Sequence, residues 1–139
     1  MMSVLRAVPL LGFVLVLANL LALLGEGFDT ELIKFGMTSG TDMRLDAGDL
    51  VMLIGLVLLY FEVFKATRTS NASILDHIAS LAVFVVALVE FLLLPRFAHG
   101  AFLALLLMSL IDVIAGFTVT LSSARRDYGG PGFPPASGP

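Results

Sequence analysis

The chain has 139 residues, 58% of them hydrophobic and only 14% charged, with a mean hydropathy of +1.01 and a formal net charge of −3. A soluble domain of this size carries roughly 25% charged residues, so the composition excludes one and points to a single integral membrane unit. There is no basic run and no aromatic–basic interleaving, which argues against nucleic acid as a partner. The absence of cysteine excludes disulfides, cysteine metal sites and thiol catalysis.

The first apolar run covers residues 8–24 and follows Arg6. It is longer than a usual signal-peptide core. Neither Ala18-Asn19-Leu20 nor Ala22-Leu23-Leu24 makes a small-residue cleavage site, so a retained span is predicted. Residues 25–48 form the longest polar segment. Phe28, Leu32 and Phe35 share one helical face there, with Asp29 and Glu31 off it. The pattern allows a short helix lying in the membrane interface or an ordered loop capping the bundle.

Asp46-Ala-Gly-Asp49 sets carboxylates at the start of the second span, residues 49–65, where they suit the free N–H groups of a helix N-terminus. A short basic loop leads to Ser73-Ile-Leu-Asp76, a capping-box pattern, and to a third span at 74–94. Pro95 to Gly100 reads as a tight turn between antiparallel helices. The fourth span is 101–123. Residues 1–124 are thus expected to form the transmembrane domain. The Gly- and Pro-rich stretch within 125–139 cannot bury enough apolar area to order itself, and is expected to be a disordered cytoplasmic tail.

The expected fold class is an all-α membrane protein: a four-transmembrane-helix bundle with an extramembrane loop between helices 1 and 2. Basic residues near span ends favour one side, Arg6, Lys65, Arg68, Arg125 and Arg126 against Lys34, Arg44 and Arg96, so both termini are expected in the cytoplasm.

Helical spacing then reads the inward faces. Ser109, Asp112, Gly116 and Thr120 share one side of the fourth span; Asp76, Ser80, Ala87 and Glu90 share one side of the third. Gly48, Gly55 and Glu62 repeat every seven residues on the second, and Gly12, Asn19 and Ala22 line the first. Small residues permit close helix approach and polar ones bond across it. A carboxylate facing lipid at mid-span costs about 2.5–3.5 kcal/mol, so Asp112 is expected to face the bundle interior or a subunit contact. Asp112, Glu90, Glu62, Asn19 and Ser109 are the intramembrane polar and proton-carrying candidates. Asp112, Glu90 and Glu62 are expected at successive depths, as a ladder and not a cluster. Glu62 reads as an interfacial pair with Lys65, and Glu90 as a hydrogen-bond partner for Asn19.

No catalytic constellation is present: no H-E-x-x-H, P-loop or G-x-S-x-G motif, and no histidine base near Ser109. No enzyme activity, cofactor or metal is expected.

Leu59-Tyr60-Phe61-Glu62, a following basic residue, a short polar loop and a third span resemble the phosphate-starvation-inducible E family of small four-span bacterial inner-membrane proteins. The resemblance covers Asp46 to Ser123 and implies a multi-pass protein of the bacterial inner (plasma) membrane, with no biochemical activity attached. The chain departs from it at Glu90, an acid where that family has a basic residue. Small multidrug exporters, also four-span, use a glutamate in the first span, where this chain has Asn19.

Two functions fit these residues. One is an interaction or accessory subunit, with the bilayer, a second copy or another membrane protein as partner. The other is a proton-coupled small transporter, or a subunit of one, using the intramembrane carboxylates.

Overall fold

The computed structural model describes residues 8–25, 27–66 and 71–128, with the backbone alone described at 71–74, 120 and 123–128. Four α-helices dominate: α1 (Leu10–Leu24), α2 (Ala47–Ala66), α3 (Asn71–Leu93) and α4 (Gly100–Tyr128). Between α1 and α2 stands a hairpin of β1 (Glu31–Gly36) and β2 (Asp42–Asp46), and a single 3-10 turn, Pro95–Phe97, joins α3 to α4. α1 and α4 each pack against both α2 and α3, so the helices form a ring in the order α1, α2, α4, α3.

Three helices are long and apolar enough to cross a membrane, over Ala47–Ala66, Leu75–Leu93 and Gly100–Val119. α1 is shorter. Its 15 residues make a rod of about 22 Å at 1.5 Å per residue, less than the ~30 Å hydrocarbon core. α1 begins after Pro9, whose missing N–H costs nothing there, and ends at Gly25 with φ +77°, a left-handed cap that only glycine adopts cheaply.

The polar segment is a β-hairpin and not an interfacial helix or loop. The Phe28, Leu32 and Phe35 spacing matched a helix, but period two also runs through it. Ile33 and Phe35 pair with Leu45 and Met43, while Lys34 pairs with Arg44, so apolar and polar side chains take opposite faces. Leu32 is the extra residue of a bulge between Glu31 and Ile33. The turn closes through Gly40, at φ +85°, whose N–H donates to Met37 C=O at 2.9 Å.

Asp46 and Asp49 cap α2 reciprocally. Asp46 accepts from the Asp49 N–H at 2.8 Å, and Asp49 accepts from the Asp46 N–H at 3.2 Å. The second expected capping box does not form as read: α3 starts at Asn71, so Ser73 lies inside the helix, and Asp76 turns to Lys65 instead. α4 runs to Tyr128, past the expected end at 123. Arg125 and Arg126 suit a helix C-terminus, and Gly129 follows. Residues 129–139, most of the expected tail, lie outside the described residues, as do Arg6 and Arg68.

The core is continuous along the bundle: Leu11, Val14, Leu15 and Ala18 of α1, Val51 and Leu59 of α2, Ala87 of α3, and Phe102, Leu105 and Met108 of α4. At the hairpin end an aromatic group closes it. Phe28, Phe97 and Phe102 are buried, with the Phe97 and Phe102 rings 4.4 Å apart and His99 stacked on Phe28 at 5.2 Å. The opposite surfaces of α2, α3 and α4 expose Leu, Ile, Val and Phe side chains along their length, the surface a bilayer accepts.

Candidate functional site

The small residues of α2 set the geometry of the site. At Gly48 an added Cβ meets Ala101 Cβ at 3.0 Å, and at Gly55 it meets Met108 Sδ at 3.0 Å. α2 and α4 therefore run parallel in close contact, and Glu62, seven residues beyond Gly55, falls against the middle of α4. On α4, Gly116 receives the His77 ring of α3 with no room for a Cβ. This brings α3 onto the same level from the other side.

Four ionisable side chains from three helices meet there. Glu62 (1% exposed), Asp76 (5%) and Asp112 (4%) are all buried. Lys65 Nζ stands 2.8 Å from Glu62 Oε1 and 2.7 Å from Asp76 Oδ1, and donates to the Val8 carbonyl at 3.2 Å. The second Glu62 oxygen accepts from the Leu10 N–H at 2.8 Å. Ser80, also buried, stands beside the Asp112 carboxylate, which lies within electrostatic reach of Lys65, Asp76 and Glu62.

Each bond has a local reason. Glu62 and Lys65 are three apart on α2 and so share a face. α1 starts level with Glu62, and its first N–H groups have no partner within the helix, so a carboxylate completes them and suits the helix dipole. Lys65, one residue from the end of α2 and 27% exposed, does pair with Glu62. Asp76 offers a second buried carboxylate across the α2–α3 gap, and Lys65 turns inward between the two.

The acids at this end are a cluster, not separate rungs. Gly55 meets Met108, so Glu62 stands level with about residue 115 of α4, and Asp112 is one turn away, ~4.5 Å along the axis at 1.5 Å per residue. Glu90 remains apart, at the hairpin end. It accepts from Asn19 Nδ2 at 3.0 Å, the contact that their shared level suggested, while the same amide donates to Leu15 C=O at 3.0 Å. Ser109 is buried but gives its hydroxyl proton to Leu106 C=O of its own helix at 2.8 Å, so it does not serve Asp112.

Asp76 as the second partner of Lys65, the Leu10 N–H as a partner of Glu62, and the packing of His77 on Gly116 were not read from the sequence. The i, i+3 spacing of Glu62 and Lys65, and the inward stripes that hold Asp76 and Gly116, signalled part of it.

Among the described residues, two clefts lie away from this cluster. One, of about 330 Å³ at the hairpin end, is bordered by Asp29, Arg96 and His99. His99 accepts from the Ala101 N–H at 3.1 Å through Nδ1, which leaves its Nε2–H to donate to Asp29 at 3.2 Å. The other, of about 250 Å³, is an open groove on α2 among Leu53, Ile54, Val57 and Leu58. Neither reaches Glu62, Asp76 or Asp112. Among the described residues no group of three His, Cys, Asp or Glu is arranged to hold a metal ion. No protein-family model, curated protein or solved structure matches the chain.

Proposed function

We propose that the chain is a small integral protein of the bacterial inner membrane that acts as an interaction or accessory subunit, without catalysis of its own. In this reading α1 joins the three longer helices as a fourth, short span, and both termini face the cytoplasm. Its partner is a second copy or another membrane protein. The resemblance to the phosphate-starvation-inducible E family, carried at Leu59 to Glu62, belongs to the same proposal.

One observation supports it: the carboxylates of the cluster are buried and stand against partners. Glu62 is held by Lys65 and the Leu10 N–H, Asp76 by Lys65, and Asp112 stands beside Ser80, each at most 5% exposed. Buried polar groups with their partners in place stiffen a bundle and fix how its helices sit. A proton path requires at least one acid in contact with water.

A second reading, a proton-coupled transporter or a subunit of one, draws on a different feature. Three carboxylates face one ammonium in this cluster, an excess that proton carriers exploit. Reconstitution separates the two. Liposomes holding the purified protein and a trapped pH dye should show no gradient-driven proton flux beyond empty liposomes. A flux abolished by Asp112→Asn, with the variant still folded, would overturn the accessory reading in favour of transport.

A further inference from the structure

The β1–β2 register sorts the hairpin into two unlike faces. Ile33, Phe35, Met43 and Leu45 lie on one, as directly opposed pairs. Lys34 and Arg44 oppose each other on the second face, where Lys34 Nζ meets Asp42 at 2.9 Å and Arg44 meets Glu31 at 3.7 Å. Among the described residues no element of the bundle buries the outer part of this face: Ile33 is 56% exposed, Phe35 45% and Met43 40%, while Leu45 at its root is half-buried. A lone two-stranded hairpin is marginal in water and gains stability when an apolar face is covered. An uncovered face of this kind marks a contact surface.

We infer that this face rests on the lipid bilayer, with its side chains in the boundary between headgroups and acyl chains, so that the hairpin is an interfacial anchor built from strands. The inference rests on the helices crossing the membrane.

The root of the hairpin fixes its height. β2 ends at Asp46 and α2 begins at Ala47, which is also the first residue of a membrane-capable segment. The N–H groups of Ala47 and Gly48 donate to Thr30 C=O at 2.9 Å and Phe28 C=O at 2.8 Å, so both ends of the hairpin are tied to the first turn of α2. Leu50, in that turn, is already exposed on the surface that faces lipid. The apolar belt of the bundle therefore starts within one helical turn of the strands, at the root of the hairpin. A strand of six residues reaches about 20 Å at 3.3 Å per residue, enough to lie across several lipid headgroups.

Charge favours lipid over a charged protein surface. The cations Lys34 and Arg44 are each met by an acid of the hairpin itself, so no unpaired cation is offered to a partner. Apolar burial is then the driving term, and zwitterionic lipid suffices as the occupant.

The chain contains no tryptophan, so single-tryptophan variants report one site each. Phe35→Trp, Lys34→Trp and Leu107→Trp, the last on the exposed apolar surface of α4, are placed in the full chain in phosphatidylcholine vesicles with or without brominated acyl chains. Phe35→Trp should emit to the blue of Lys34→Trp, be quenched by brominated lipid, and resist iodide, without change when phosphatidylserine is added. Iodide quenching of Phe35→Trp equal to that of Lys34→Trp overturns the inference. So does protection from both quenchers that disappears as protein is diluted into lipid, because a second copy would then be the cover. If Leu107→Trp also escapes brominated lipid, the spanning reading and the anchor fall together; if Leu107→Trp is quenched and Phe35→Trp is not, the anchor alone falls.

Discussion

The Glu62 carboxylate accepts a hydrogen bond from the backbone N–H of Leu10, 52 positions away in the chain, at 2.8 Å. A side chain of α2 thereby does for α1 what an N-cap residue does locally, where Pro9 makes no side-chain cap. Glu62→Gln keeps an acceptor for that N–H and should fold. Glu62→Leu removes it and should cost about 0.5–2 kcal/mol, the worth of a helix cap, beyond the cost of Glu62→Gln. Equilibrium unfolding of the two variants in mixed micelles measures the gap; equal stability would mean the bond is dispensable.

Lys65 stands between two buried carboxylates, so its removal leaves both without their cation. Lys65→Met should destabilise by about 3–5 kcal/mol, the usual cost of breaking a buried ion pair from one side. The triple variant Lys65→Met, Glu62→Gln, Asp76→Asn should recover most of that loss, because no uncompensated charge remains. A Lys65→Met protein as stable as the parent would show that Lys65 contributes little inside the bundle.

The glycines of the helix contacts should differ in their tolerance of alanine. At Gly116 a Cβ collides with the His77 ring, and Gly116→Ala should cost about 1–3 kcal/mol, the range for overpacking. At Gly55 the nearest atom is the sulfur of Met108, the far end of a flexible side chain that can turn aside, so Gly55→Ala should cost less. Thermal denaturation should rank them in that order, and His77→Ala should relieve Gly116→Ala.

The Asn19–Glu90 bond joins α1 to α3 near the hairpin end. Asn19→Leu should cost about 0.6–1.7 kcal/mol, the range for hydrogen bonds between membrane helices. Glu90→Leu should cost a similar amount, and the double variant no more than either alone. Additive losses in that double-variant cycle would show that the two residues act separately.

The helical period made the inward stripes legible. Gly48, Gly55 and Glu62 on α2 are all buried, as are Ser109, Asp112 and Gly116 on α4, because a seven-residue or three-and-four repeat holds one face whatever lies beside it. The α1 stripe was less well placed: Ala18 is buried and Asn19 only partly, since a helix this apolar offers little contrast around its circumference. The hairpin was misread because Phe28, Leu32 and Phe35 satisfy a helical spacing while their neighbours satisfy period two. Periodicity alone cannot choose between the two in so short a segment. The cluster of acids was missed for another reason. Depths counted from span ends are blind to lateral reach, and one helical turn is a step that a lysine side chain bridges.

The dependence of α1 on Glu62 also bears on how the protein is made. The Leu10 N–H has no partner within its own helix, and hydrocarbon offers none. Its partner is translated only after α1, the hairpin and most of α2 have been synthesised. α1 is therefore complete in the growing chain before the partner of its opening turn exists. The start of α1 thus reaches its final bonding only when α2 docks against it, which makes the pair of helices, and not α1 alone, the unit that assembles.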